Sequence, residues 1–116
     1  MFAHKKLSAW QGSMDLTVMV YRITTGFPKS EMYGLSSQIR RSAESIPANI
    51  SEGAARGTKR EFIRFLRISL ASLSELDTHI DLAFRLNYLN EDTFNELMGK
   101  MIKISAQISG LIRSLK

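Results

Sequence analysis

QIRRSAESIPANISEGAARGTKRE, residues Gln38 to Glu61, decides how the rest of the chain is read. Ile39, Ala43, Ile46, Ile50 and Ala54 recur at three- and four-residue spacing, the period of one helix face. Pro47 falls inside that repeat. It has no N–H to offer the Ala43 carbonyl, and it disfavours helical geometry at Ile46. The repeat keeps its phase beyond the proline, so one kinked helix is expected rather than two. Gly53 and Gly57 read as the C-terminal exit of that helix. The same stretch carries five of the sixteen lysines and arginines, at Arg40, Arg41, Arg56, Lys59 and Arg60.

Working outward, apolar residues recur with helical spacing almost everywhere, and strand-like alternation is absent. A first helix is expected over about residues 6–24, with Leu7, Trp10, Met14, Thr17, Val18 and Tyr21 as its main stripe. Leu16, Val20 and Ile23 widen that stripe, and Gly26 with Phe27-Pro28 ends it. Ser30 as N-cap and Glu31 in the first turn place the second helix at 31–55, its stripe beginning with Met32 and Leu35. Thr58 and Glu61 match a capping box and open a third helix at 58–87, whose stripe runs from Phe62 through Phe65, Ser69, Leu73 and Ile80 to Leu86. Asn90 caps a fourth helix at 91–115, with Phe94, Leu97, Met101, Ile104, Ile108, Leu111 and Leu115 facing inward. Connections this short make consecutive helices antiparallel neighbours. The sequence therefore predicts an all-α, up-down-up-down antiparallel four-helix bundle, one domain over residues 1–116.

Met98, Ile102 and Ile112 fall off the main stripe of the fourth helix, as Leu16, Val20 and Ile23 do on the first. Such surplus apolar surface is either a broad core-facing stripe or a second buried face, and in the latter case it points to self-association.

A chain of 116 residues with 44% hydrophobic content can bury a core without metals or disulfides. It has no cysteine, which excludes a disulfide scaffold and thiolate metal sites. The N-terminal stretch does not read as a secretory signal, and the longest nearly apolar run, Leu16 to Tyr21, is too short to cross a bilayer. A cytoplasmic protein with no membrane association is expected. The net charge of +5 is unevenly spread: residues 1–70 carry +6 and residues 71–116 carry −1. That asymmetry suggests a basic face suited to phosphate or to an acidic partner.

Arg60, Arg64 and Arg67 share one face of the third helix, Arg56 and Lys59 just precede it, and Arg40 and Arg41 lie further back on the second. Together these seven are the candidate nucleic-acid-binding residues, against the plainer reading of a solvated face paired with acids. No motif interleaves aromatics for base stacking, so binding of low sequence specificity is expected. A second set, Ser45, Asn49, Glu52, Glu75 and His79, combines an amide, carboxylates and a histidine at helical spacing. It is expected to form a polar network that satisfies the carbonyl freed by Pro47. One histidine with carboxylates is a weak basis for catalysis or metal binding, so no enzyme activity, metal or cofactor is expected. Trp10, Tyr21 and the six methionines, Met1 included, read as packing residues. Gly53 and Gly57 do not form a phosphate-cradling loop.

Four segments read in order, LSAWQGSMDLTVMVY, FPKSEMYGLSSQIRRSAESIPANISEG, REFIRFLRISLASLSELDTHI and NEDTFNEL, resemble the 23S rRNA intervening sequence proteins, also labelled S23 ribosomal proteins. The accessory variability determinant of diversity-generating retroelements is similar to that group. The most specific part is SIPANISEG, Ser45 to Gly53, followed by a basic run. The resemblance implies a homopentamer of antiparallel bundles with a basic surface and no enzymatic activity. Some members are encoded within rRNA gene insertions, and the retroelement relatives work with a reverse transcriptase and its RNA. Relatives often carry a glycine and sometimes a basic residue where this chain has Leu70-Ala71-Ser72, which removes a close helix approach and a phosphate contact. The expected function is a non-enzymatic homo-oligomer presenting a basic surface to RNA or DNA. The alternative is an adaptor that binds an acidic or nucleic-acid-handling protein.

Overall fold

The computed structural model describes residues 2–116; Met1, grouped above with the packing methionines, lies outside them. The described residues form four α-helices: α1 (Ser8–Thr24), α2 (Leu35–Ala55), α3 (Lys59–Arg85) and α4 (Glu91–Leu115). Short 3-10 turns occupy Ala3–Lys6 and Lys29–Glu31. No strand occurs among the described residues. α1 and α3 each pack against both α2 and α4, while the diagonal pairs do not meet, which is the arrangement of a four-helix bundle. Its long dimension of 43 Å is close to the ~40 Å expected for α3 alone at ~1.5 Å per residue.

The centre is built from Leu16, Ile39, Ile46, Ile50, Leu66, Leu76, Ile80, Leu97, Ile104 and Ile108, all essentially without solvent contact. In α2, α3 and α4 these are residues of the expected stripes. In α1 the inward face differs from the expected one. Ala9, Ser13, Leu16, Val20 and Thr24 face the core, while Met14, Val18 and Tyr21 remain 39%, 46% and 39% exposed. Size misled the reading, because a helix that approaches its neighbours closely turns its small residues inward. At Gly12, for example, an added Cβ would already touch Ile104 at 3.4 Å. Ile112, placed off the α4 stripe, is buried, whereas Met32 and Leu86, placed on stripes, are exposed.

Helix α2 begins at Leu35, not near Ser30. The Glu31 carboxylate folds forward to accept the Leu35 backbone N–H at 3.2 Å and the Tyr88 hydroxyl at 2.9 Å, so the cap comes from a 3-10 turn instead of Ser30. Gly34 leaves room for that carboxylate, since a Cβ there would stand 2.9 Å from it. The same acceptor raises the Tyr88 phenol pKa above its ordinary value.

At the other end of α3, Asn87 adopts φ 63° and carries a Schellman-type exit, with the Tyr88 N–H reaching the Ala83 carbonyl at 2.9 Å. Thr58 and Asn90 cap α3 and α4 through their side chains, as their positions predict. The capping box is only half made: Glu61 turns to Arg64 rather than back to Thr58.

Helix α2 runs without a break through Pro47. The Ala43 carbonyl left without its intrahelical donor accepts from the Thr17 hydroxyl of α1 at 3.3 Å, a proton that Thr17 shares with the Ser13 carbonyl at 2.7 Å. Gly53 is not an exit residue. It lies buried within α2, where an added Cβ would fall 2.6 Å from Phe65 Cβ and 3.3 Å from the Phe62 carbonyl oxygen. Only Gly57, at φ 89°, acts as punctuation.

Candidate nucleic-acid interface

The close α2–α3 contact sets the geometry of the basic region. Ser45 and Ser72 share a hydrogen bond of 2.8 Å, and the Ser69 hydroxyl donates to the Ile46 carbonyl at 3.0 Å. Residues rising along α2 thus meet residues falling along α3, and the Gly53–Phe65 contact lies in the same series. Leu70-Ala71-Ser72, where a close approach was expected to be lost, instead supplies a hydroxyl that bonds across the seam.

This packing leaves the end of α2, the turn at Gly57 and the start of α3 as one surface. Phe65 is 6% exposed, and two guanidinium groups lie against its ring: Arg56 at 4.8 Å and Arg64 at 4.6 Å from the ring centre. Arg56 also pairs with Glu52 at 2.8 Å, and Arg64 with Glu61 at 3.0 Å. Lys59, Arg60 and Arg67 are exposed and form no ion pair among the described residues. Arg60, Glu61, Ile63, Arg64 and Arg67 border a shallow groove of about 470 Å³ along α3.

Arg40 and Arg41 do not join this surface. Arg40 lies sixteen positions before Arg56, about 24 Å along the axis of α2. Arg40 is committed to the C-terminal end of α1, donating to Thr24 Oγ1 at 2.8 Å and the Tyr21 carbonyl at 3.4 Å and lying 4.7 Å over the Tyr21 ring. A cation there offsets the negative end of the α1 dipole. The Glu44 carboxylate accepts the Tyr21 hydroxyl and, with burial, pushes that phenol up, while Arg40 opposes the shift. Arg41 is exposed.

The expected polar network separates into three pieces. Asn49 donates to the Ser45 carbonyl and hydroxyl at 2.8 and 2.9 Å, and with Ser72 this forms the seam described above. Glu52 belongs to Arg56. His79 and Glu75 face each other at 3.3 Å along α3, one turn apart. None of the three contacts the Ala43 carbonyl, which Thr17 serves instead. Among the described residues no three His, Asp or Glu side chains converge as a metal-binding group, and no helix is long and apolar enough to cross a membrane.

Phe65, which touches both Arg56 and Arg64, was read from periodicity as core alone. Its position next to Arg64 is visible in the sequence. Its pairing with Arg56, nine residues earlier, depends on how the turn closes.

Among curated proteins, none matches the sequence. The fold is shared with a crystal structure described as a protein of unknown function from the S23 ribosomal protein family of Bacteroides thetaiotaomicron. The two superpose with a TM-score of 0.80 at 23% identity, covering 90% of this chain and 97% of that one. The 23S rRNA-intervening sequence protein family matches over residues 5–110, nearly the whole bundle. The chain therefore belongs to the 23S rRNA-intervening sequence protein family.

Proposed function

We propose that this protein is a non-enzymatic, self-associating bundle whose α2–α3 junction binds the phosphate backbone of RNA or DNA. The observation that carries the reading is the placement of Lys59, Arg60 and Arg67, three exposed cations that form no ion pair among the described residues, beside the Arg56–Arg64 pair. Cations that hold no carboxylate can neutralise phosphates at little cost in broken contacts, and phosphate contacts carry no sequence information. The family's name, which refers to 23S rRNA, is in keeping with this. A homopentamer, the stoichiometry implied by the resemblance, would repeat the surface around a ring.

A filter-binding titration with RNAs and DNAs of unrelated sequence tests the reading. All should bind within about tenfold of one another, and retention should fall steeply between about 50 and 200 mM salt. Arg60→Glu with Arg67→Glu should weaken every probe alike without changing the circular dichroism spectrum. No retention of any probe at the low-salt end would overturn the proposal. The adaptor reading, supported by the exposed apolar residues Met14, Val18 and Ile102, would then take its place.

A further inference from the structure

Two of the five arginines and lysines at the junction differ physically from the other three. Arg56 and Arg64 come from opposite sides of the turn, yet both guanidinium groups rest within 5 Å of the centre of one ring. That ring is buried, and its Cβ lies close against α2 at Gly53. Each guanidinium is also held by a carboxylate of its own helix, Glu52 one turn before Arg56 and Glu61 three residues before Arg64. Long side chains of this kind normally lose considerable rotamer freedom when they engage a ligand. Here the buried Phe65 ring gives both guanidinium groups one common surface to rest on, and it stays in place when the carboxylates leave.

We infer that Phe65 is a positioning residue for anion recognition: it holds Arg56 and Arg64 as a preformed guanidinium pair, from which a phosphodiester displaces Glu52 and Glu61. This inference rests on the phosphate-binding reading of the junction and adds a division of labour to it. Lys59, Arg60 and Arg67 supply mobile, long-range attraction. The Phe65-bound pair supplies fixed donors, and a guanidinium can present two N–H groups to one phosphate. The exchange of one anion for another also explains how the pair can be neutralised at rest and still be available. Both carboxylates are about half exposed, so their hold on the arginines is weak enough to be replaced. The buried ring itself is closed to bases, so the pair adds grip without sequence preference.

The test combines binding of a short single-stranded RNA of mixed sequence with the arginine Nε–Hε signals in NMR spectra of the full chain. In the wild type, ring currents should displace the Arg56 and Arg64 signals, and RNA should shift these two further. Phe65→Leu keeps the Cβ contact with Gly53 and the net charge, but should return both signals to ordinary positions and weaken binding about two- to fivefold. Glu52→Gln with Glu61→Gln should tighten binding by more than Asp77→Asn with Glu96→Gln, which alters the net charge equally but lies elsewhere. If Phe65→Leu does not fold, the two charge-matched variants decide the matter. Equal gains from those pairs, or unchanged RNA affinity in folded Phe65→Leu, would overturn the inference while wild-type binding leaves the phosphate reading standing. Absence of wild-type binding would overturn both, and is distinguished by the wild-type titration alone.

Discussion

At the scale of single residues, the cost of Pro47 is met from another helix. Thr17 was legible as part of an α1 face, but periodicity tells which way a residue points and not which atom it will meet. The polar neighbours of Pro47 in sequence, Ser45 and Asn49, were the natural candidates for the freed carbonyl. Ser45 is turned toward Ser72 of α3 and Asn49 toward Ser45 instead, because an α2 residue two before or two after the proline points away from the side where that carbonyl emerges. Thr17→Val should therefore destabilise the protein by about 0.5–1.5 kcal/mol in urea unfolding. The loss should shrink in a Pro47→Ala background, where residue 47 regains an N–H for the Ala43 carbonyl. Equal losses in both backgrounds would show that the shorter Ser13 bond accounts for the whole effect.

At the scale of elements, glycine means different things in different helices. Gly53 and Gly99 both sit inside helices, where alanine gains up to about 1 kcal/mol from propensity alone. At Gly99 an added Cβ meets nothing within 4 Å, so Gly99→Ala should stabilise by roughly that amount. At Gly53 the new methyl collides with Phe65 Cβ, an atom fixed to the α3 backbone, and with the Phe62 carbonyl. Overpacking of this type costs about 1–3 kcal/mol, which outweighs the propensity gain. Gly53→Ala should thus lower the thermal midpoint while Gly99→Ala raises it, as parallel calorimetric scans would reveal. The sequence could not separate these cases. Gly53 was read as a helix exit and proved to be internal, and its difference from Gly99 lies in how near the next helix comes. The start of α2 was hidden for a related reason: Ser30 has the chemistry of a cap, yet Glu31 can reach Leu35 because Tyr88, far along the chain, helps to hold its carboxylate.

At the scale of the whole molecule, the bundle was legible because short connections and an unbroken 3.6-residue period leave few other ways to bury so much apolar surface. The outward faces were less legible, since a helix with two apolar stripes does not declare which one faces the core. Those left outside include Met14, Val18 and Tyr21 on α1, Leu82 on α3 with Leu86 just after it, and Ile102 on α4, at 39% exposure or more. Light scattering at micromolar concentration should accordingly give a mass several times the 13.1 kDa of one chain. A monomer mass would remove self-association from the proposed function. The tight seam between α2 and α3 has a further consequence, in the order of events by which the chain folds. Three residues, Arg56 to Thr58, join these helices, against ten between α1 and α2. Closing so small a loop sacrifices little chain entropy, and the contacts it brings together are close in sequence. The α2–α3 hairpin should be the nucleus on which α1 and α4 later condense. Ser69→Ala, which removes the bond to Ile46, should then act mainly by slowing refolding, whereas Thr17→Val should act mainly by speeding unfolding. Stopped-flow chevrons of the two variants would show whether the chain indeed begins to fold from its middle.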